Sequence, residues 1–300
     1  MNNVRTFLTK NELNLNRLTV KNKTKIIDTN KETVVFKRKS NNINLSDTFT
    51  YLKSRSFDNY PNKIYEDNKY DVYEYVEDTK EPAEQKILDL INLVTMLHNK
   101  TTFYKEVDID DYKEIYETIN NKIEYLYNYY TDIINLIETR VYMAPSEYLM
   151  ARNISKIYES LSYAKKCIDK WYEVIKDKRK MRVVNIHNNL SLDHYLKNRK
   201  PYLISWEKSR IDIPIYDLYK LYQNHYLDFN FNELFYQYEN NYPLKEEERL
   251  LLFSILAIPW KVEFADFEYN LCIKFRKLFD YLYKTENLVN EYSYQKPNIE

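Results

Sequence analysis

The chain has 300 residues, 44% of them hydrophobic, with 45 Lys plus Arg against 45 Asp plus Glu. A zero balance leaves no bulk field to attract nucleic acid or an anionic membrane surface, so neither is expected as a partner. Glycine is absent altogether, and this excludes every glycine-rich phosphate loop, because such loops need backbone conformations that only glycine reaches cheaply.

Tight turns are then expected to fall to Asn and Asp, which tolerate positive φ best after glycine. The wealth of Asn, Lys, Ile and Tyr reads as an AT-rich genome. At this length two lobes are expected rather than two independent domains. The opening Met1-Asn2-Asn3-Val4-Arg5 has no apolar signal segment, and the longest apolar run, Leu250 to Trp260, is broken by Ser254 and Pro259 and too short to span a bilayer. Cys167 and Cys272 lie in apolar helical patterns without metal-ligand spacing, which reads as structural thiols in a reducing cytosol.

The first thirty residues are Asn- and Lys-rich and carry no expected element before Leu18. From Leu18 to about Val76 the chain reads as strand-rich. Leu18-Thr19-Val20 and Lys25-Ile26-Ile27 suggest one pair, and Glu32 to Arg38 an alternating β-branched strand. Ser46-Asp47 offers an N-cap for a short helix through Leu52. Lys63-Ile64-Tyr65 and Tyr70 to Val76 follow as strands, with a hairpin turn at Asp67-Asn68. Glu77 to Pro82 is polar and reads as a hinge.

Beyond it the period becomes helical. Ile87, Leu90, Val94 and Leu97 mark one helix face ending at Leu97-His98. Ile115, Ile119, Ile123, Leu126, Tyr130, Ile133 and Ile137 mark a longer helix. Pro145 opens another running through Trp171, and a short connection between the two predicts an antiparallel hairpin. Near-continuous helix is expected from Asp217 to about Tyr292, broken at Pro243 and Pro259. The many Tyr on these helices read as semi-buried packing in place of Leu and Phe.

The densest motif is Ile186-His187-Asn188-Asn189-Leu190-Ser191-Leu192-Asp193-His194, followed by Tyr202-Leu203-Ile204-Ser205-Trp206-Glu207 and Pro214-Ile215-Tyr216-Asp217-Leu218. In order and spacing these resemble the H-G-D-x-x-x-x-N loop, I-D-W-E strand and P-x-x-D-L helix start of the aminoglycoside phosphotransferase and choline kinase family. Val94 to His98 is similar to that family's L-x-x-L-H helix end, and Val34-Val35-Phe36-Lys37 to its lysine-bearing strand. The resemblance implies an α+β, two-lobed protein-kinase-like fold. Its parts would be a strand-rich N-lobe (1–76), a hinge (77–83) and an enlarged helical C-lobe (84–300) holding a degenerate catalytic loop at 186–207.

It also implies site positions. Asn189 stands where the family has its catalytic base, with His187 and Asp217 supporting the loop. Lys37, Tyr75 and Val76 fall on cofactor-contacting positions. His194 and Ser205 replace the family's metal-binding Asn and Asp. An amide has no accessible basic form, and loss of a general base typically costs roughly 10²- to 10⁴-fold. A serine hydroxyl brings no charge to Mg²⁺. The expectation is therefore a pseudokinase that binds a protein partner or small-molecule ligand, with no cofactor. Its long helical pair and degenerate loop resemble the CotS-type spore coat proteins of low-GC Gram-positive bacteria, so the expected location is the cytoplasm or the spore coat. The alternative is an active small-molecule kinase that uses ATP and Mg²⁺, with Asp193 or Glu207 as substitute ligand, the latter sharing a strand face with Ser205. A structural scaffold that binds no nucleotide is the third reading.

Overall fold

The computed structural model describes residues 2–21, 24–39 and 45–294. Along the chain, α1 (Asn2–Lys10) leads into β1 (Leu15–Lys21), β2 (Thr24–Thr29) and β3 (Thr33–Arg38), then α2 (Leu45–Ser54), β4 (Lys63–Glu66) and β5 (Tyr70–Glu74). Next come α3 (Ala83–Thr101), β6 (Phe103–Glu106), α4 (Ile109–Glu138), α5 (Pro145–Ile175) and β7 (Lys180–Ile186). A 3-10 turn at Leu192–His194 precedes β8 (Tyr195–Lys197) and β9 (Pro201–Leu203), and a second at Trp206–Lys208 precedes β10 (Arg210–Asp212). Four helices close the chain: α6 (Ile215–His225), α7 (Phe231–Asn241), α8 (Glu246–Ala257) and α9 (Glu268–Tyr294).

The chain divides into two compact units, Met1–Thr101 with His187–Arg210, and Thr102–Ile186 with Ile211–Glu300. This differs from lobes of 1–76 and 84–300: α3 and the loop after Ile186 both group with the first sheet. That sheet is antiparallel, in the order β1-β2-β3-β5-β4. Period-two alternation sends Val34 and Phe36 of β3 and Val72 of β5 into one core. Helix α1 covers that core, with Val4, Phe7 and Leu8 at i, i+3 and i+4 and the Phe7 and Phe36 rings edge-on at 5.1 Å. The N-terminal stretch expected to lack an element is therefore a packed helix.

Two helix ends show how the chain manages without glycine. After α1, Leu13 N–H donates to Leu8 O at 2.9 Å and Glu12 N–H to Thr9 O at 3.3 Å; after α2, Phe57 N–H donates to Leu52 O at 2.9 Å and Ser56 N–H to Lys53 O at 3.0 Å. Both are Schellman closures, which ask for a left-handed residue at C′. Glu12 (φ 51°) and Ser56 (φ 57°) take that place. Of the four positive-φ residues described, only Asn188 is of the expected Asn or Asp type. Helix α2 begins at Leu45, so Ser46 lies inside its first turn and is not its cap.

In the second unit α4 and α5 pair antiparallel, as the register of contacts shows: Tyr116 OH donates to Asp169 at 2.8 Å near one end, and Thr131 meets Tyr158 OH at 3.1 Å further along. Pro145 occupies the first turn of α5. Helix α8 docks on α5 through Ser254 Oγ–H to Ala164 O at 3.0 Å and Ser160 Oγ–H to Ala257 O at 2.6 Å. Tyr130, Tyr222 and Tyr238 are fully buried. Tyr130 illustrates why the chain favours Tyr: its ring packs while its hydroxyl donates to Trp260 O at 2.6 Å. The expected run from Asp217 breaks once more than its prolines require, at 226–230, where Asn230 accepts from Asn232 N–H and restarts the helix. Among the described residues no helix is long and apolar enough to cross a membrane.

Candidate functional site

The site-bearing loop starts where β7 ends and is built on the first unit. Lys37 follows Phe36 on β3, so the alternation that buries Phe36 turns Lys37 to the opposite face. There its ammonium donates to Ser205 Oγ at 3.2 Å and forms an ion pair with Glu207. No carboxylate partner for this lysine was legible beforehand. The sequence offers an acidic residue two places after Ser205, but nothing in it links that residue to Lys37.

Ser205 and Glu207 do not share a strand face. Ser205 is left-handed (φ 69°, ψ 51°), and Trp206–Lys208 form a 3-10 turn. A non-glycine residue in this region costs on the order of 1–3 kcal/mol and persists only where its surroundings over-determine it. Here the preceding peptide is held on both sides: Ile204 N–H donates to His194 O at 2.9 Å, and His187 Nε2–H donates to Ile204 O at 2.9 Å. The following residue is anchored as well. Trp206 is 2% exposed, donates from Nε1 to Leu203 O at 2.8 Å, and meets Phe49, Phe57 and Tyr60 edge-on, with the His187 ring at 4.8 Å.

The same bonds bring the loop to this turn. His194 Nδ1 donates to Asn189 O at 2.6 Å, fixing that nitrogen as the protonated one because a carbonyl only accepts. Asn188 (φ 55°) donates from Nδ2 to Lys208 O at 3.2 Å. Asn189, His194 and Ser205 are thus linked through one hydrogen-bonded chain, in which His187 and His194 act as backbone braces. Asp193 lies in the 3-10 turn that Ser191 Oγ caps at 3.4 Å.

The remaining positions are placed as follows. Tyr75 is 43% exposed and Val76 is buried, just past β5. His98 is fully buried inside α3, which runs on to Thr101 rather than ending there. Asp217 is fully buried in the first turn of α6 within the second unit, with Pro214 as the cap residue. The stretch expected as a hinge is strapped to β8: Lys197 N–H donates to Asp78 at 2.8 Å, Thr79 N–H to Lys197 O at 2.7 Å, and Lys197 Nζ reaches Asp89 at 2.6 Å and Glu81 at 2.8 Å. Donating hydrogen bonds to Asp89 and Glu81 raises the Lys197 pKa above the usual lysine value. Sequence reasoning missed this node, since Lys197 belongs to no motif.

Next to Lys37 lies a cavity of about 20 Å³, lined by Lys39, Leu45, Asp71, Tyr73 and Glu207, room for about one water. Lys39 and Lys63 approach Asp71 at 3.7 and 3.2 Å. Burial first, then Asp71 and Glu207, push the Tyr73 hydroxyl far above its ordinary pKa. Among the described residues no group of three or more His, Cys, Asp or Glu is placed to hold a metal ion.

No family model and no curated protein sequence matches the chain. Solved structures do. An aminoglycoside phosphotransferase from Alicyclobacillus acidocaldarius superposes with a TM-score of 0.67 at 10% identity, over 93% of each chain. An AMP-bound spectinomycin phosphotransferase gives 0.53 at 14% identity, over 96% of this chain and 92% of that one. The choline kinase LicA from Streptococcus pneumoniae gives 0.50 at 14% identity over 98% of each. The fold is therefore the α+β kinase-like fold of these small-molecule kinases, with an antiparallel strand-rich N-terminal sheet and a large helical C-terminal part.

Proposed function

We infer that this chain, built on the fold of aminoglycoside phosphotransferases and choline kinases, is a phosphotransferase-like binding protein that has given up phosphoryl transfer. One observation carries the reading: the loop and turn are braced in full, by His187, His194 and Trp206, around positions where Asn189 and Ser205 offer no carboxylate. Phosphoryl transfer depends on positioned charge, with metal ions held by carboxylates and phosphates and a residue that orients the nucleophile. An amide and a hydroxyl supply hydrogen bonds without that charge. Glu207, the carboxylate best placed to substitute, is engaged with Lys37. The occupant is a protein partner or a small-molecule ligand, and the CotS-type resemblance extends the proposal to a place in a spore coat.

The test is ATP turnover with a panel of aminoglycosides and choline, alongside thermal-shift measurements with ATP in the presence and absence of Mg²⁺. No turnover and no metal-dependent shift are expected. Turnover that requires Mg²⁺ and disappears in Glu207→Gln would establish the active kinase instead, with Glu207 as its relocated metal ligand.

A further inference from the structure

The cation of the candidate site already has an anion. Lys37 and Glu207 are each 25% exposed at the side chain and face one another across the turn, with Ser205 Oγ as a second acceptor. Glu207 is held there by packing: Trp206, one residue earlier, is locked into its aromatic pocket, and Ser205 is braced in its left-handed conformation. Two neighbouring cations are likewise matched, Lys39 and Lys63 with Asp71, while Arg38 also lines the void. The void beside this pair, about 20 Å³ among the described residues, has room for about one water.

We propose that Glu207 is an internal counter-ligand. It occupies on Lys37 the seat that an oligophosphate would take, so that a phosphate-bearing ligand enters only by displacing it. A carboxylate fixed at that seat both satisfies Lys37 and repels a second anion, and the contact is autoinhibitory toward polyanions. This rests on the reading of the site as retained without its chemistry, and it supplies a reason for the lysine to persist there.

The experiment is calorimetric titration of inorganic tripolyphosphate, with EDTA present, into wild type, Glu207→Gln and the double variant Lys37→Ala with Glu207→Gln. Removing the carboxylate of a partly exposed ion pair is expected to tighten binding in Glu207→Gln by about fivefold or more, and removing Lys37 from that background should return it to the wild-type level. Where Glu207→Gln does not fold, Glu207→Ala, which also removes the carboxylate, takes its place with the same expectation. Unchanged affinity in a folded variant overturns the proposal, as does a gain that survives loss of Lys37. Failure of both variants to fold also overturns it, because the pair is then a structural strut. ATP turnover by the wild type would refute the inactive reading and leaves this comparison to be decided by its own titrations.

Discussion

Replacing Trp206 probes whether the turn that carries Ser205 and Glu207 is held from beneath. Trp206→Ala removes a ring that is 2% exposed, its contacts with Phe49, Phe57, Tyr60 and His187, and the Nε1–H bond to Leu203 O at 2.8 Å. Large-to-small aromatic substitutions in a core cost about 3–5 kcal/mol, and the carbonyl left without its donor falls within that sum. Trp206→Phe keeps most of the packing and loses chiefly the hydrogen bond, about 1–2 kcal/mol. The readout is urea unfolding together with amide hydrogen exchange at Leu203 and Ile204, whose N–H groups are bonded to Asn59 O at 2.8 Å and His194 O at 2.9 Å. Protection there should fall in the order wild type, Trp206→Phe, Trp206→Ala. If Trp206→Ala stays within about 1 kcal/mol of wild type with both amides equally protected, the turn does not depend on this anchor and the account of Ser205 fails.

Three further outcomes are expected. Glu12→Gly and Ser56→Gly should each stabilise the protein by about 0.5–1 kcal/mol, the left-handed penalty of roughly 1–2 kcal/mol less the entropy cost of glycine; melting midpoints at or below wild type would contradict the Schellman assignment. The Asp266 carboxyl, held down to about 2 by Lys274, Asn270 and the Phe267 N–H, should titrate by NMR well below its ordinary 3.8. Its folded pKa lies below its unfolded one, so its stabilisation is complete above pH about 4 and disappears as pH falls to about 2; a midpoint at 3.8 would show that these donors do not hold it. Asn189→Asp, His194→Asn and Ser205→Asp together should fold and gain Mg²⁺ or Mn²⁺ binding by calorimetry, since two carboxylates would then stand on the linked loop and turn. Heats as negligible as those of wild type would mean that these positions do not face one ion.

What could be read from the chain itself was whatever depends on near neighbours. The pairing of Leu18-Thr19-Val20 with Lys25-Ile26-Ile27, the strand ending at Arg38, the Asp67 turn and the two long helices opened by the α4 pattern and Pro145 all follow from periods of 2.0 and 3.6 and from turn chemistry. The motif resemblance pointed to the kinase-like fold, because its spacing is a property of the sequence. Short or disguised elements escaped: α1 carries its apolar triplet Val4, Phe7 and Leu8 inside an Asn- and Lys-rich stretch, and β6 has four mostly exposed residues that pair with β7 across a gap of more than seventy. Only tertiary structure decided the chemistry of the site. The partner of Lys37 lies 170 positions away and approaches because Ser205 is left-handed and Trp206 is buried. Which carboxylate a lysine meets depends on where packing brings distant segments together, and local sequence patterns carry no record of that distance.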